Sequence, residues 1–407
     1  MKKQVMIIGG GASGLAAAIG AVRQGADVTI LEHMDRVGKK ILSTGNGRCN
    51  MTNLAMKAEC YRCSQKQFPM KVLDRFSVWD TLKFFDELGI VTKNKNGYIY
   101  PNSEQASSVL DALRLETEHS GVRIVTGCQI RRIKKAGKGG FLAETDQASF
   151  KADALILATG SKAAPVTGSD GSGYEYAKSF GHTVITPLPA LVQLRCQGKH
   201  FKQLAGIRCE AAVKLVSEGR TLAADEGEVQ LTDYGISGIP TFQISRFASV
   251  ALDQGRPVTA YVDFLPSKSM DETRQFLRRR VECLGYRSCG DFLTGVLNKK
   301  LAGVLLKLSG ISIETPVNQV PAGNWERLVK QLKSFEAVVT ATNSFEQAQV
   351  CCGGVDTREV RAESLESKLV PGLFLIGELL DVDGICGGYN LQWAWSTGML
   401  AGQCAGR

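Results

Sequence analysis

The hydrophobic pattern of the chain opens with a short apolar run, a stretch of helical periodicity and a second apolar run. The first run, residues 5–8, predicts a buried β-strand, because an exposed strand would alternate apolar with polar residues. Residues 15–19 favour a helix that ends near Gly25. The second run, residues 27–31, is followed by Glu32. Strand, helix and strand in this order predict one β–α–β unit of a parallel sheet.

Apolar runs and helical periodicity predict further elements along the chain. In chain order these are helices near 79–88 and 106–119, strands near 122–125, 129–133, 140–144 and 154–160, short strands at 211–216 and 258–264, a mainly helical segment over 270–308, strands at 337–340 and 373–378, and a last helix from about residue 390. The strand at 337–340 is expected to restore the parallel-sheet pattern. We therefore predict a nucleotide-binding domain split into residues 1–188 and 336–407. It surrounds an inserted substrate-side domain, residues 189–335, with a helical part over about 267–312.

The turn between the first strand and the first helix is a Gly-x-Gly-x-x-Gly motif, Gly9-Gly10-Gly11-Ala12-Ser13-Gly14. Glycines allow the backbone to approach a pyrophosphate, and the N-terminus of the next helix faces its negative charge. Glu32, at the end of the second strand, can accept hydrogen bonds from both ribose hydroxyls and disfavours a 2′-phosphate, so NADP is the least expected occupant. The motif predicts a dinucleotide site. An ordinary buried β–α–β unit with a glycine-rich turn remains the alternative.

Composition changes this picture little. The chain has 407 residues, of which 44% are apolar and 22% are charged, as in an ordinary globular protein with a sizeable core. It contains no run of about twenty apolar residues, so we expect no membrane span. The start of the chain lacks the small-residue cleavage pattern of a signal peptide. We therefore expect a cytoplasmic protein.

The chain contains 12 cysteines, and in a large cytoplasmic protein we expect them to be reduced. Cys60 and Cys63 have the spacing of a redox or zinc pair, but no second such pair supplies the remaining zinc ligands. No metal site is therefore expected. Cys351 and Cys352 are adjacent and precede two glycines, which makes them the more suggestive thiols.

The formal net charge is +9, and one stretch concentrates basic residues, namely Arg274, Arg278, Arg279, Arg280, Arg287, Lys299, Lys300 and Lys307. Such a stretch can attract nucleic acid or an anionic substrate, but it is more commonly the solvated face of a helix. Aromatic residues are not interleaved with it, and no nucleic-acid motif accompanies it. We expect a small-molecule substrate rather than a nucleic acid. The sequence does not indicate whether the protein is a monomer or an oligomer.

A second glycine-rich turn, residues 384–390, follows the predicted strand at 373–378. The carboxylate of Glu378, at the end of that strand, can bind a ribityl hydroxyl. The helix after the turn, with Asn390 as its N-cap, can direct its N-terminus at the pyrimidine side of an isoalloxazine and stabilise a reduced, anionic flavin. A nicotinamide dehydrogenase does not need this second strand, turn and helix. The sequence therefore predicts FAD as the cofactor, and a plain tight turn is the alternative.

Three segments resemble a bacterial family of FAD-dependent oxidoreductases whose members include aminoacetone oxidase and 3-dehydro-bile acid reductase. These segments are residues 38–53, 232–238 and 377–394, of which the last is highly specific. The resemblance covers essentially the whole chain. It implies an α/β fold with a Rossmann-like FAD-binding domain of glutathione-reductase type, into which a β-barrel-like and a helical domain are inserted.

Carried over residue by residue, the resemblance implies a set of cofactor-binding positions. Residues 11–14 would hold the pyrophosphate, Glu32 would bind the adenosine ribose, and the backbone of Ile130 would meet the adenine. The whole set is Gly9, Gly11, Ala12, Ser13, Gly14, Glu32, Lys40, Gly47, Arg48, Cys49, Asn50, Ile130, Thr159, Gly160, Gly377, Glu378, Asp381, Gly388, Tyr389, Asn390 and Leu391.

The flavin side of this set is drawn from both ends of the chain. Lys40 and residues 47–50 would line the flavin, whereas Glu378, Asp381 and residues 388–391 would close over the ribityl chain and the ring. The guanidinium group of Arg48 is also suited to phosphate oxygens.

The chain departs from the family pattern at two places. Ser161 stands where the family often has a second glycine after Ala-Thr-Gly. Cys351 and Cys352 stand where the family often has a small residue before a Gly-Gly-Val turn. The first departure leaves the expected site intact, whereas the second can alter substrate or redox behaviour.

The expected function is that of an FAD-dependent oxidoreductase acting on a small organic substrate by hydride transfer through the flavin. It would either reduce an enone or 3-oxo compound or oxidise an amino ketone, with transiently bound NAD(P)H or oxygen as the second redox partner. Candidate catalytic residues are Tyr389, Asn390, Cys352 and Tyr234, and no acid–base pair is assigned. One alternative is a nucleic-acid-linked or non-catalytic flavoprotein that uses the basic insert. The other is a dithiol oxidoreductase that uses Cys351 and Cys352, or Cys49.

Overall fold

A computed structural model describes residues 2–137 and 139–407 of the chain. The chain divides into two compact units. Unit 1 comprises Met1–Leu188 and Gln349–Arg407, and unit 2 comprises Pro189–Ala348. Each unit encloses a hydrophobic core of its own.

The chain combines strands and helices, with a run of consecutive strands over residues 123–157 and of consecutive helices over residues 270–333. Up to the end of the first segment of unit 1 they are β1 (Gln4–Ile8), α1 (Ala12–Val22), β2 (Asp27–Leu31), α2 (Lys39–Ser43), β3 (Thr52–Asn53), β4 (Tyr61–Arg62), α3 (Phe68–Leu73), α4 (Val78–Glu87), β5 (Thr92–Lys95), β6 (Tyr98–Pro101), α5 (Ala106–His119), β7 (Arg123–Val125), β8 (Ile130–Lys135), β9 (Phe141–Thr145), β10 (Ser149–Ala152), β11 (Ala154–Leu157), α6 (Ser172–Ser179) and β12 (Val184–Ala190). Those that follow in unit 2 are β13 (Leu194–Cys196), α7 (Phe201–Leu204), β14 (Arg208–Ser217), β15 (Arg220–Thr232), β16 (Gly235–Gly238), α8 (Ile239–Asp253), β17 (Val258–Asp263), α9 (Met270–Leu284), α10 (Cys289–Phe292), α11 (Lys299–Leu308), α12 (Ala322–Lys333) and β18 (Phe335–Thr342). The chain then returns to unit 1 with β19 (Val350–Val355), β20 (Leu373–Leu375), β21 (Asp383–Gly384) and α13 (Tyr389–Gly406).

The centre of unit 1 is a parallel sheet with the strand order β20-β11-β1-β2-β7. Every residue of β11 and β20 is buried, as expected of parallel strands covered on both faces. From β1 the chain continues to β2 on one side and much later to β11 on the other. The carboxyl ends of β1 and β11 therefore flank a topological switch point, which is where ligands bind in open α/β sheets.

The first and last helices of unit 1 pack closely because both are rich in small residues. A Cβ atom on Gly402 of α13 would overlap the carbonyl oxygen of Ala17 in α1, and one on Gly398 would overlap that of Ser13. This contact brings the C-terminal helix beside the glycine-rich turn that starts α1.

Smaller sheets complete unit 1. They are the antiparallel sheets β10-β9-β8 and β3-β6-β5, and the pairs β12-β19 and β21-β4. The last pair joins the turn after β20 to the segment that follows β3, so distant parts of the chain meet there.

The centre of unit 2 is a closed barrel in the order β13-β16-β15-β14-β17-β18. Helices α9 to α12 form its helical part, which extends to Lys333. The predicted end of this part near residue 312 is therefore too early, because α12 begins only at Ala322 after a short interruption.

The prediction that residues 337–340 return to the parallel sheet is wrong. These residues belong to β18, which pairs antiparallel with β17 and β13 of the barrel. Phe335, Ala337 and Val339 are buried while the residues between them are exposed, which is the alternation of a barrel strand with one solvated face. Unit 2 accordingly ends at Ala348 rather than at residue 335.

Candidate active site

The glycine-rich turn between β1 and α1 contains glycines of two kinds. Gly9 has a φ of 99°, and a Cβ atom there would lie 2.6 Å from the carbonyl oxygen of Ala158 at the end of β11. A Cβ atom on Gly14 would overlap the carbonyl oxygen of Gly9. Packing therefore requires both residues to be glycine. Gly11 differs, because among the described residues no atom lies within 4 Å of where its Cβ would be.

The N-terminus of α1 is open to a ligand. Gly11 is its N-cap residue, and in the described part of the chain no side chain caps this helix and no acidic residue lies in its first turn. The first N–H groups of a helix need partners from outside the helix. The turn thus offers unpaired donors beside an open space, which is the arrangement that binds a phosphate.

Glu32 lies directly beside this turn. Its buried carboxylate accepts hydrogen bonds from the backbone N–H groups of Gly10 and Met34, each at 2.8 Å. Its carbonyl oxygen accepts from the N–H of Cys128 at 3.0 Å, which brings the start of β8 to the same edge of the sheet. Ile130, the first residue of β8, has its carbonyl oxygen 3.3 Å from the hydroxyl of Tyr176 in α6.

Lys40 and Glu378 form the charged centre of the site. The Nζ atom of Lys40 lies 2.7 Å from Oε2 of Glu378 and 3.3 Å from the carbonyl oxygen of Ala163. The hydroxyl of Ser161 donates to the same Oε2 at 3.1 Å. Ser161, one of the departures from the family pattern, therefore supplies Glu378 with a second donor.

Gly377 joins this centre to the glycine-rich turn. A Cβ atom there would lie 2.6 Å from Oγ of Ser13. Its backbone N–H donates to Oγ1 of Thr397 and its carbonyl oxygen accepts from the indole of Trp393, both at 3.0 Å. Two residues of α13 thus fix the backbone beside Glu378.

Three buried polar atoms near these residues have no hydrogen-bond partner within the described part of the chain. They are Oδ1 of Asn50, Oγ1 of Thr159 and the hydroxyl of Tyr174. Burial raises the pKa of Tyr174 well above its ordinary value, with Cys351 and Glu378 among the groups that add to the effect. Buried polar groups in folded proteins almost always have partners, so these three atoms are available to hydrogen-bond a polar ligand. Sequence reasoning selected Asn50 and Thr159 but missed Tyr174.

The segment 44–49 is a tight loop with left-handed backbone at Gly45, Asn46, Gly47 and Cys49. Arg48 is exposed and lies near Tyr100. Burial raises the pKa of Tyr100, and the charge of Arg48 partly offsets this effect. Cys49 is fully buried, and burial raises the pKa of its thiol to about 12. Such a thiol is poorly suited to dithiol chemistry, which proceeds through the thiolate.

The prediction that Asn390 caps the last helix is wrong. Helix α13 begins at Tyr389, and its N-cap is Gly388, with a φ of 94°. A Cβ atom on Gly388 would lie 2.7 Å from the carbonyl oxygen of Thr52, so only glycine fits. The Asn390 side chain instead bonds the backbone N–H and carbonyl of Gly384, at 2.8 and 2.9 Å, and thereby closes the turn.

Tyr389 is buried and held in place by hydrogen bonds. Its side chain is buried, its hydroxyl donates to the carbonyl oxygen of Ala55 at 3.1 Å, and its own carbonyl accepts from Tyr61 at 2.9 Å. Burial raises the pKa of this phenol, and Cys60 raises it further. The next residue but one, Leu391, is half-buried. Tyr389 therefore anchors the start of α13 rather than presenting a free acid.

The remaining candidates of unit 1 are Asp381, Gly160 and Cys352. Asp381 is buried and accepts from the N–H and the hydroxyl of Ser64, at 3.0 and 2.5 Å. A Cβ atom on Gly160 would lie 2.7 Å from Oγ of Ser169. Cys352 is buried in β19, with Sγ 3.7 Å from the carbonyl oxygen of Leu188. Burial raises the pKa of its neighbour Cys351, which Ser161 partly offsets.

Tyr234, the candidate in unit 2, follows β15. Its hydroxyl accepts a hydrogen bond from Nδ2 of Asn343 at 3.0 Å.

All 12 cysteines are free thiols, Cys60 and Cys63 included. No group of three or more His, Cys, Asp or Glu side chains able to hold a metal is found over residues 2–137 and 139–407. No helix in those ranges has the length and apolar character that crossing a membrane requires.

Comparisons with known proteins place this geometry in context. Residues 3–404 match the family model described as HI0933-like protein Rossmann domain. The chain is 48% identical over 404 residues to the 3-dehydro-bile acid delta(4,6)-reductase of Clostridium scindens, covering 99% of this chain and 98% of that protein. It is 30% identical over 399 residues to the ribosomal RNA dihydrouridine synthase of Haemophilus influenzae, covering 96% of both. A solved structure, 3-ketosteroid delta1-dehydrogenase from Sterolibacterium denitrificans, is similar in fold with a TM-score of 0.51 at 11% identity over 99% of both chains.

The fold and these matches define an oxidoreductase built on a Rossmann-like domain of the FAD-binding type. The predicted fold class, the resemblance and the enzyme class are thereby confirmed. The chain belongs to the HI0933-like Rossmann-domain family.

Proposed function

We propose that this protein is an FAD-dependent reductase that saturates a carbon–carbon double bond conjugated to a ketone in a small organic molecule. The observation that carries the proposal is the 48% identity, over 99% of the chain, to a protein named as a 3-dehydro-bile acid delta(4,6)-reductase. Such a name describes the reduction of ring double bonds near a 3-oxo group. Of the two directions expected from the sequence, the proposal selects enone reduction over amino-ketone oxidation.

The adenosine half of FAD would lie along the glycine-rich turn. The N-terminus of α1, with residues 9 and 11–14, would hold the pyrophosphate, and the open space at Gly11 supports this. Glu32 would bind the ribose hydroxyls, and the backbone of Ile130 would meet the adenine. The contact of Cys128 with Glu32 supports a common location for these two groups.

The flavin half would lie between segments from both ends of the chain. The residues that would hold it are Lys40, Gly47, Arg48, Cys49, Asn50, Thr159, Gly160, Gly377, Glu378, Asp381, Gly388, Tyr389, Asn390 and Leu391. The unpartnered atoms of Asn50 and Thr159 support this placement, because the ribityl chain and the ring edge carry matching polar groups.

When bound, the flavin supplies hydride transfer, while the protein orients it and tunes its environment. Glu378 receives Lys40 and Ser161 on Oε2, which leaves Oε1 to accept a ribityl hydroxyl. The ammonium group of Lys40, which is paired with Glu378, would lie on the flavin side of the site. Asn390 holds the turn at Gly384 closed, and the N-terminus of α13 would then face the ring.

We further propose that NAD(P)H binds transiently as the electron donor, with oxygen as the acceptor when no enone is present. The Glu32 carboxylate beside the turn disfavours a 2′-phosphate there, so NADPH would not occupy the resident cofactor site. The protein would work in the cytoplasm, since 12 free cysteines suit a reducing compartment.

Anaerobic stopped-flow spectroscopy tests the proposal directly. The flavoprotein is reduced with NADH or NADPH and mixed with a Δ4-3-oxo steroid acid, and the flavin absorbance is followed. We expect reoxidation at a rate that rises with the enone concentration, and a product that has gained two hydrogen atoms by mass spectrometry. Reduction of the flavin by an amino ketone, together with no reoxidation by the enone, would reverse the proposed direction.

A second candidate function is the reduction of uridine in ribosomal RNA. It is favoured by the 30% identity, over 96% of the chain, to a protein named as a ribosomal RNA dihydrouridine synthase. Dihydrouridine is uridine with its C5–C6 double bond saturated, and that bond is also conjugated to a carbonyl group. The two candidate functions therefore share one chemistry and differ in the molecule that carries the double bond.

The basic stretch of unit 2 gives limited support to the RNA candidate. Arg274 is paired with Asp271 and with Glu326, and Arg280 donates to the carbonyl oxygen of Phe292. These two side chains are thus engaged within the protein. Binding of a ribosomal RNA fragment that weakens steeply with salt would support this candidate, whereas flat, weak binding would remove it.

A further inference from the structure

Unit 2 carries a cluster of three polar side chains, Arg195, Tyr234 and Asn343, outside the proposed cofactor site. Arg195 lies in β13, Tyr234 in the turn between β15 and β16, and Asn343 directly after β18. The cluster forms because β13 pairs with both β16 and β18 in the barrel.

Gly235 makes this cluster possible. It has a φ of 154°, and a Cβ atom there would overlap the carbonyl oxygen of Leu194 on the neighbouring strand. A glycine is therefore required for β16 to approach β13 so closely. The N–H of Cys196 donates to the carbonyl oxygen of Tyr234 at 2.7 Å and fixes the turn. The close approach of the two strands thus explains why a glycine follows Tyr234 in the segment 232–238.

Asn343 orients the other two side chains. It is 9% exposed, and its Oδ1 accepts from Nη1 of Arg195 at 3.2 Å while its Nδ2 donates to the hydroxyl of Tyr234 at 3.0 Å. The guanidinium carbon of Arg195 lies 4.9 Å from the centre of the Tyr234 ring, a cation–π distance. A buried amide and an aromatic face together hold the guanidinium group in place.

The donors of this cluster are not used up within the protein. Arg195 is exposed, forms no ion pair with a described residue, and its side chain makes one hydrogen bond to the described residues, through Nη1. A guanidinium group has five N–H donors, so several remain. The hydroxyl of Tyr234 accepts from Asn343 and keeps its own proton to donate. A preoriented guanidinium beside a phenol donor matches the planar fork of an oxyanion.

We propose that Arg195 and Tyr234 form a binding site for the carboxylate group of a small organic acid. A single guanidinium with one phenol satisfies one carboxylate, whereas an RNA backbone engages several cations in a row. The inference goes beyond the proposed function and does not depend on it, because binding of a carboxylate can be measured without any reduction taking place.

Isothermal titration calorimetry on the holoprotein tests the site with a saturated 3-oxo steroid acid and its methyl ester. We expect the protein to bind the acid more tightly than the ester. In Arg195→Gln we expect the affinity for the acid to fall roughly 10- to 100-fold, as for the loss of a charged hydrogen-bonding partner. The ratio of the affinity for the acid to the affinity for the ester should then fall toward one. Tyr234→Phe should weaken acid binding about three- to tenfold.

Arg208→Gln is the matched control. Arg208 is an exposed arginine of β14 in the same barrel, and its Nη1 is paired with Glu228 at 3.0 Å. We expect this variant to bind the acid like the parent protein. Unfolding midpoints check that each variant is folded, and Arg195→Lys, which keeps the charge without the fork, should show an intermediate affinity.

Equal affinity of the parent protein for acid and ester, or an equal loss in Arg208→Gln, would overturn the proposal. So would a loss of ribosomal RNA binding in Arg195→Gln with unchanged binding of the acid. The two proposals can fail separately. If calorimetry gives the expected pattern but no enone reoxidises the flavin, the carboxylate site stands and the proposed reductase activity does not.

Discussion

The Nζ atom of Lys40 lies 2.7 Å from Oε2 of Glu378, although 338 positions separate the two residues in the sequence. Ser161 donates to the same oxygen from a third segment of the chain. Three segments that follow β2, β11 and β20 therefore meet at one carboxylate. Because neither partner is fully exposed, this pair is better protected from solvent than a surface ion pair.

Glu378→Gln should weaken FAD binding about tenfold or more, since a charge-assisted hydrogen bond and the charge opposite Lys40 are both lost. Titration of the apoprotein with FAD, followed by flavin fluorescence, measures the dissociation constant. Glu87→Gln is the control, because Glu87 pairs with Arg23 at 2.9 Å on an exposed surface. FAD affinity in Glu378→Gln equal to that of the control would contradict the assigned role of Glu378.

Two substitutions in the glycine-rich turn separate packing from cofactor binding. Gly14→Ala should destabilise the protein, because its Cβ would overlap the carbonyl oxygen of Gly9. Gly11→Ala should leave the unfolding midpoint of the apoprotein nearly unchanged, since no described atom lies within 4 Å of the added carbon. The same added methyl group stands where the pyrophosphate would approach, so FAD affinity should fall at least about tenfold. Unaltered FAD affinity in Gly11→Ala would place the phosphates elsewhere.

Local patterns predicted the β–α–β unit around residues 9–14 because each part of it lies within a few residues of the next. The Lys40–Glu378 contact could be assigned only through resemblance, since no local pattern relates residues so far apart. β18 was misassigned because a short apolar stretch reads alike in a buried parallel strand and in a barrel strand. Asn390 has the right chemistry for an N-cap, but Gly388 alone fits against Thr52. Tyr174 was missed because burial of its hydroxyl depends on tertiary packing.

His182 should make stability depend on pH. Its fully buried ring contacts Glu359 through Nδ1 at 3.0 Å and Ser367 through Nε2 at 2.8 Å. Burial lowers its pKa from 6.5 and outweighs the opposite effect of Glu359. Between the folded and unfolded pKa values the unfolded chain binds more protons, so stability falls as the pH falls. The contribution is fully present above 6.5 and is lost on going down through the folded pKa.

Thermal unfolding of the apoprotein between about pH 7 and pH 5 measures this effect of His182. We expect the unfolding midpoint to fall with pH, and to fall less steeply in His182→Gln. His119→Gln is the control, because His119 is exposed at the end of α5 and should leave the slope unchanged. A parent slope no steeper than that of His182→Gln would show that other groups cause the pH dependence.

The contact between α1 and α13 should be intolerant of even one added carbon. A Cβ atom on Gly402 would overlap the carbonyl oxygen of Ala17, and backbone cannot move away as a side chain can. Gly402→Ala should therefore cost about 1–3 kcal/mol of unfolding free energy, measured by denaturant titration. Gly303→Ala in α11 is the opposite case, because no described atom lies within 4 Å of its added carbon, and it should stabilise by about 0.4–1 kcal/mol. If both substitutions stabilise the protein, the helices are not in the close contact described, since alanine is otherwise the better helix former.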